Sequence, residues 1–109
     1  MVDRPAPGHV AIVTGANHGI GGAIALALAR QGCSVLCTYL RLHDPFTPGV
    51  TDTYRRNRAA GAEGVVAEIE AVGGTAVAYE ADLSDPDSAQ NIFDMAEDLL
   101  GPVDILVNN

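Results

Sequence analysis

Lysine is absent from this sequence of 109 residues, and so is tryptophan. All six basic residues are arginines, set against fourteen acids, and the formal charge is −8. That balance argues against nucleic acid or an anionic membrane surface as the main partner. The missing lysine also excludes a phosphate loop of the GxxxxGK[ST] kind, which needs that side chain. No apolar run approaches the eighteen or so residues of a membrane span, and the N-terminus MVDRPAPGH lacks the apolar centre of a signal peptide. A soluble, cytoplasmic protein is the expectation.

Cysteine is scarce as well. Cys33 and Cys37 both fall at or in a strand-like segment, where residues four apart lie roughly 13 Å from each other, so an unstrained disulfide between them is excluded. Reduced, buried thiols are expected. A zinc site that adds His43 is set aside, because a strand interior followed by a loop does not converge three ligands on one point.

What the sequence does have is 48% apolar residues, enough for the core of one small domain. Residues 1–9 carry Pro5, Pro7 and Gly8 and read as a flexible lead-in. The chain is organised around Val10 to Ile24, VAIVTGANHGIGGAI. The apolar run Val10 to Val13 has the look of a buried parallel strand, and it passes through Gly15, Gly19 and Gly21 into an alanine-rich helical pattern. A helix N-terminus there presents unpaired N–H groups and the positive end of its dipole, and glycines allow a phosphate to come close.

Ile20, Ile24, Ala27 and Leu28 recur at helical spacing, with Gly32 as the stop. Ser34 to Leu40 reads as a second buried strand. Residues 42–58 break the pattern with Pro45, Pro48 and Gly49 and read as an insertion-like loop. In it Arg55, Arg56 and Arg58 read as a solvated face, with a phosphate or partner site as the alternative. A second helix is expected from about Ala59 to Ala71, with Ala62, Val65, Val66 and Ile69 inward, and a third strand from Thr75 to Ala81. Ser84-Asp85-Pro86-Asp87 has the features of a helix start, with Ser84 as the cap. Ala89, Ile92, Phe93, Ala96 and Leu100 follow as the buried face of that helix. Val103 to Val107 is a fourth strand. Alternation of this kind forces parallel pairing with helices on both faces, so the fold class is α/β with a doubly wound parallel sheet, and its ligand edge lies at the C-terminal ends of the strands.

Gly15-x-x-x-Gly19-x-Gly21 is not the common G-x-G-x-x-G, because position 17 is Asn and position 24 is Ile. The octet TGANHGIG resembles instead the cofactor fingerprint of the short-chain dehydrogenase/reductase family. Asp82-Leu83 after the third strand and VDILVNN at the end are similar to two further signatures of that family, and together the three span Val10 to Asn109. Among its members the 3-oxoacyl-carrier-protein reductases look nearest. The resemblance implies a Rossmann fold with strand order 3-2-1-4, here one incomplete NAD(P)-binding domain over residues 1–109. It also implies that Gly15, Asn17, His18, Gly19, Ile20 and Gly21 surround the pyrophosphate and adenosine ribose. Asp82 would bond the adenine amino group, Leu83 would pack on its ring, and Asn109 would contact the ribose through its backbone. The plainer alternatives are an ordinary tight turn for the glycines and a loop acid or helix cap for Asp82, a role that Ser84 already fills.

Cofactor choice turns on the end of the second strand, Tyr39-Leu40-Arg41. An acid there would bind the ribose hydroxyls of NAD, whereas a nearby arginine accommodates the 2′-phosphate of NADP. No acid is present, and His18 takes a fingerprint position that is often basic in NADP-preferring members. NADP is therefore favoured, with Arg41 as the phosphate partner. Asp44 keeps NAD open, and a solvated strand end is the alternative for Arg41.

The resemblance also implies hydride transfer between a carbonyl and a secondary alcohol by a serine, a tyrosine and a lysine four residues after it, and a homo-oligomeric parent. All three residues fall beyond Asn109. No catalytic residue is assigned, and Tyr39, Tyr54 and Tyr79 are not candidates, because the chain has no lysine to pair with them. The substrate is not readable from these residues. The expectation is the N-terminal part of a longer oxidoreductase or an incomplete gene product, with no turnover of its own and with its fourth strand left as an apolar edge. A non-catalytic dinucleotide-binding module and a nonfunctional truncated product are the competing readings.

Overall fold

The computed structural model describes residues 8–41, 49, 51 and 61–109. The lead-in expected over 1–9 and the loop expected over 42–58 therefore lie almost wholly outside the described residues, as do His43, Asp44, Tyr54, Arg55, Arg56 and Arg58.

Among the described residues seven elements alternate: β1 (Val10–Thr14), α1 (Gly19–Arg30), β2 (Ser34–Tyr39), α2 (Glu63–Ala71), β3 (Thr75–Glu80), α3 (Ser88–Leu99) and β4 (Ile105–Val107). The strands form one sheet in the order β3-β2-β1-β4, and every pair is parallel. This is the expected doubly wound order. The register aligns Thr14 with Thr38, Tyr39 with Glu80, and Val13 with both Cys37 and Val107, so the C-terminal strand ends meet along one edge.

Alternation along the strands divides the core in two. Ala11, Val13, Val35 and Cys37 face Ala25 and Ala29 of α1 and Ile69 of α2, with Ala62 just ahead of α2 in the same cluster. Ile12 and Leu36 face the other way, onto Ile92 and Ala96 of α3. Ile12, Leu36 and Ile69 are wholly buried, and each such side chain contributes about 1.5–3 kcal/mol relative to an exposed one. Helices thus cover both faces.

Several boundaries and faces differ from the expectation. The buried residues of α1 are Gly21, Gly22, Ala25 and Ala29, with Ile24 and Leu28 only partly buried, while Ile20 is 73% exposed and Ala27 is also exposed. Ile24 and Leu28 thus pack against the core as expected, whereas Ile20 and Ala27 do not, and the deepest positions go to the smallest residues. On α3, Ala89 is likewise exposed and Ser88 is buried.

Ser84 does not cap α3, which begins four residues later behind Asp87, and the capping signal is spent on a turn described below. Gly61 and Ala62 precede α2 rather than opening it. Leu40 and Ala81 lie past their strands, and β4 starts at Ile105 rather than Val103. β4 pairs with β1 at one end of the sheet formed by the described residues, with Leu106 49% exposed. Among the described residues no helix is long and apolar enough to cross a membrane.

Candidate functional site

A cleft of about 420 Å³ opens over the C-terminal strand edge, where the loops leave β1, β2, β3 and β4. Thr14, Gly15, Asn17 and His18 line it from the first turn, Thr38, Tyr39 and Leu40 from β2, Ala81 to Ser84 from beyond β3, and Asn109 from beyond β4.

The first turn is held by backbone and small side chains. Gly15 has φ +61° and Gly19 φ +59°, a region that a side chain disfavours. Gly21 is required for a different reason: a Cβ there would lie 2.1 Å from the Gly15 carbonyl oxygen and 2.5 Å from Asn109 Nδ2. The Asn109 side chain donates to that same carbonyl at 3.1 Å, and its backbone N–H donates to Thr14 Oγ1 at 2.9 Å. Thr14 Oγ1 in turn donates to the Val107 carbonyl at 3.4 Å. These bonds tie the end of β4 to the turn after β1.

His18 precedes α1 with extended backbone (φ −165°), makes no capping bond through its side chain, and is followed by no acid in the first helical turn. The N–H groups of that turn, with the dipole behind them, suit an anion.

On the β3 side Asp82 accepts two bonds on one carboxylate oxygen, from the Ser84 N–H at 2.9 Å and the Ser84 hydroxyl at 2.6 Å. These bonds lower its pKa. Both fall on Oδ1, which leaves Oδ2 for a ligand donor. Leu83 is 57% exposed beside it, a flat apolar surface at the cleft wall.

Arg41 stands at the β2 end and is engaged by Glu80, the last residue of β3. Its Nη2 donates to Glu80 Oε1 at 3.0 Å, its Nε lies 3.3 Å from both carboxylate oxygens, and its backbone N–H donates to Oε2 at 2.9 Å. The hydrogen bond and charge of Glu80 hold Arg41 further into its charged form. Burial, with the carboxylates of Glu63 and Glu80, pushes the Tyr39 phenol up, so it stays protonated.

Eight of the twelve residues singled out in the sequence line the cleft together: Gly15, Asn17, His18, Tyr39, Leu40, Asp82, Leu83 and Asn109. Four do not. Gly19 lies in an adjoining depression between α1 and α2, Gly21 supports the turn from beneath, Ile20 points to solvent, and Arg41 stands beside the cleft in its bond to Glu80. Sequence reasoning missed Thr14, Thr38, Ser84 as a partner of Asp82, and Glu80. The parallel pairing of β2 with β3 was the available signal for Glu80, since it places two strand ends side by side.

Cys33 and Cys37 are free thiols and buried. Burial raises both, Cys33 with help from Asp104, and pushes Cys37 to about 11. Neither is a reactive thiolate at neutral pH.

The short chain dehydrogenase family model matches residues 46–109. Over 102 residues the chain is 40% identical to an oxidoreductase of Methylorubrum extorquens, covering 94% of this chain and 35% of that protein. It is 37% identical to a 3-oxoacyl-[acyl-carrier-protein] reductase of Synechocystis, covering 92% and 34%. Among solved structures, a short chain dehydrogenase from Mycobacterium avium superposes with a TM-score of 0.76 at 38% identity, covering 95% of this chain and 34% of that one. The chain thus spans about a third of the length of the curated relatives it matches.

Proposed function

The chain belongs to the short chain dehydrogenase family, and on that footing we propose that its cleft holds the adenosine and pyrophosphate half of NADP in an oxidoreductase acting on a carbonyl or secondary alcohol. The observation that carries this reading is the Gly15–Gly21 approach. A Cβ at Gly21 would collide with the Gly15 carbonyl, so the turn lies tight against the start of α1 and clears the way to a helix N-terminus that the His18 side chain does not cap.

The residues fit such a group. Gly15, Asn17 and His18, with the first N–H groups of α1, would take the pyrophosphate. Asp82 Oδ2 would accept from the adenine amino group, Leu83 would lie on the ring, and Asn109 would border the ribose. Tyr39-Leu40-Arg41 has no acid to repel a 2′-phosphate and has an arginine to receive it. When bound, the dinucleotide supplies the hydride. This chain's own residues bind and orient its adenine half, and none of them moves the substrate proton.

Calorimetric titration with NADP+ and NAD+ tests this. Tighter binding of NADP+, weakened by about tenfold in Arg41→Ala through loss of one charged hydrogen bond, is expected. Weaker binding of NADP+ than of NAD+, with no change in Arg41→Ala, overturns the cofactor assignment. No oxidation of NADPH with simple ketones is expected from residues 1–109, and measurable turnover refutes that part.

A further inference from the structure

Arg41, the residue assigned to the 2′-phosphate, already has a carboxylate partner, and that partner is fixed independently of the arginine side chain. Glu80 Oε2 accepts the Arg41 backbone N–H at 2.9 Å, while its two oxygens share the guanidinium at 3.0–3.3 Å. The strand register puts Glu80 directly beside Tyr39, and the Ala81 N–H bonds the Tyr39 carbonyl at 2.8 Å, so the β2 and β3 ends are locked together. Rotating Arg41 toward the cleft therefore does not carry Glu80 away.

The consequence is electrostatic. A lone arginine at a strand end presents a full positive charge to a phosphate, whereas the Arg41–Glu80 pair presents almost none at a distance. A phosphate that recruits Arg41 must take its fork from a carboxylate and then sit beside that carboxylate. An uncharged ribose hydroxyl meets no such penalty, and a carboxylate oxygen can accept from it. The β2 end lacks an acid, and β3 supplies one.

We propose that Glu80 is a specificity-determining residue at the β2 end that narrows the preference for NADP over NAD, so that the site accepts both dinucleotides. This rests on the cofactor reading above, and the test separates the two. Kd values for NADP+ and NAD+ are measured calorimetrically on the full chain as wild type, Glu80→Gln, Glu80→Asp and Arg41→Ala, with thermal unfolding of each as a check of folding. Gln keeps an oxygen for the Arg41 N–H but loses the charge.

In Glu80→Gln, NADP+ is expected to bind about fivefold more tightly, the effect of removing one like charge near a surface, while NAD+ binds no more tightly than to wild type. Glu80→Asp, which keeps the charge, should keep a wild-type ratio of the two affinities. An unchanged or weakened NADP+ affinity in Glu80→Gln, while Arg41→Ala still loses NADP+, overturns the role of Glu80 and leaves the cofactor assignment standing. A Glu80→Asp ratio equal to that of Glu80→Gln also overturns it. Failure of the wild type to bind either dinucleotide overturns both.

Discussion

The Asn109 side-chain amide donates to the main-chain carbonyl of Gly15 at 3.1 Å, and that carbonyl is the atom a side chain at Gly21 would strike first. The end of the chain and the first glycine turn, 94 residues apart, thus meet at one oxygen. Gly21→Ala would place a Cβ 2.1 Å from it, against backbone that cannot rotate aside. The expected result is a loss of about 1–3 kcal/mol of stability, the cost of forcing a methyl into packed surroundings, together with loss of dinucleotide binding. Urea unfolding and calorimetry measure the two effects, and a stable, binding-competent Gly21→Ala would refute the close approach.

Gly64 provides the contrast. It lies in α2, is exposed, and has nothing within 4 Å of a built Cβ. Gly64→Ala should raise stability by about 0.5–1 kcal/mol, because alanine loses less backbone freedom on folding and favours the helix. A rise of a few degrees in Tm with unchanged cofactor affinity is the expected reading.

The strand order and the cleft's location were legible because alternating apolar runs and helical stripes leave few arrangements for a parallel sheet. Finer placement was not. Asp82, Ser84 and Pro86 carry a strong helix-start pattern, yet the carboxylate closes its own turn onto Ser84 and postpones α3 to Ser88. Local side-chain bonding won over capping. Ile20 fits a helical stripe by bulk but lies on the exposed side, while the buried positions of α1 are Gly and Ala and its Ile24 and Leu28 pack at the margin of the core. The Arg41–Glu80 pair joins residues 39 apart, and only the register of β2 on β3 reveals it.

At the opposite edge of the sheet Asp104 hydrogen-bonds the His9 ring and accepts the Val10 N–H at 3.1 Å, while its own N–H donates to the Val10 carbonyl at 3.1 Å. The His9 bond, ahead of the backbone bonds, lowers the Asp104 pKa below its ordinary 3.8. A carboxylate whose folded pKa is depressed stabilises the fold above its unfolded pKa and loses that contribution as pH falls through the folded value. Wild type should therefore exceed Asp104→Asn in Tm at pH 5–7, with the gap closing below about pH 4. A gap that persists undiminished at pH 2.5 would show that packing, not ionisation, makes the difference. Cys33, which the Asp104 charge raises, stays a thiol throughout this range and adds no slope.

Asp82 and Arg41 should differ in what they recognise. Adenine is common to NAD and NADP, so removing its acceptor in Asp82→Ala should weaken both dinucleotides alike, by about tenfold for one charged hydrogen bond. Arg41→Ala should weaken NADP+ alone. Ser84→Ala separates the two duties of Asp82, because it deletes the 2.6 Å hydroxyl bond and keeps the 2.9 Å backbone bond that closes the turn. If Asp82 serves the ligand through Oδ2, Ser84→Ala should retain cofactor affinity within about twofold, the loss of one neutral contact at an exposed site. If Ser84→Ala instead loses as much affinity as Asp82→Ala, the turn itself is what the ligand needs, and the adenine contact assigned to the carboxylate is wrong.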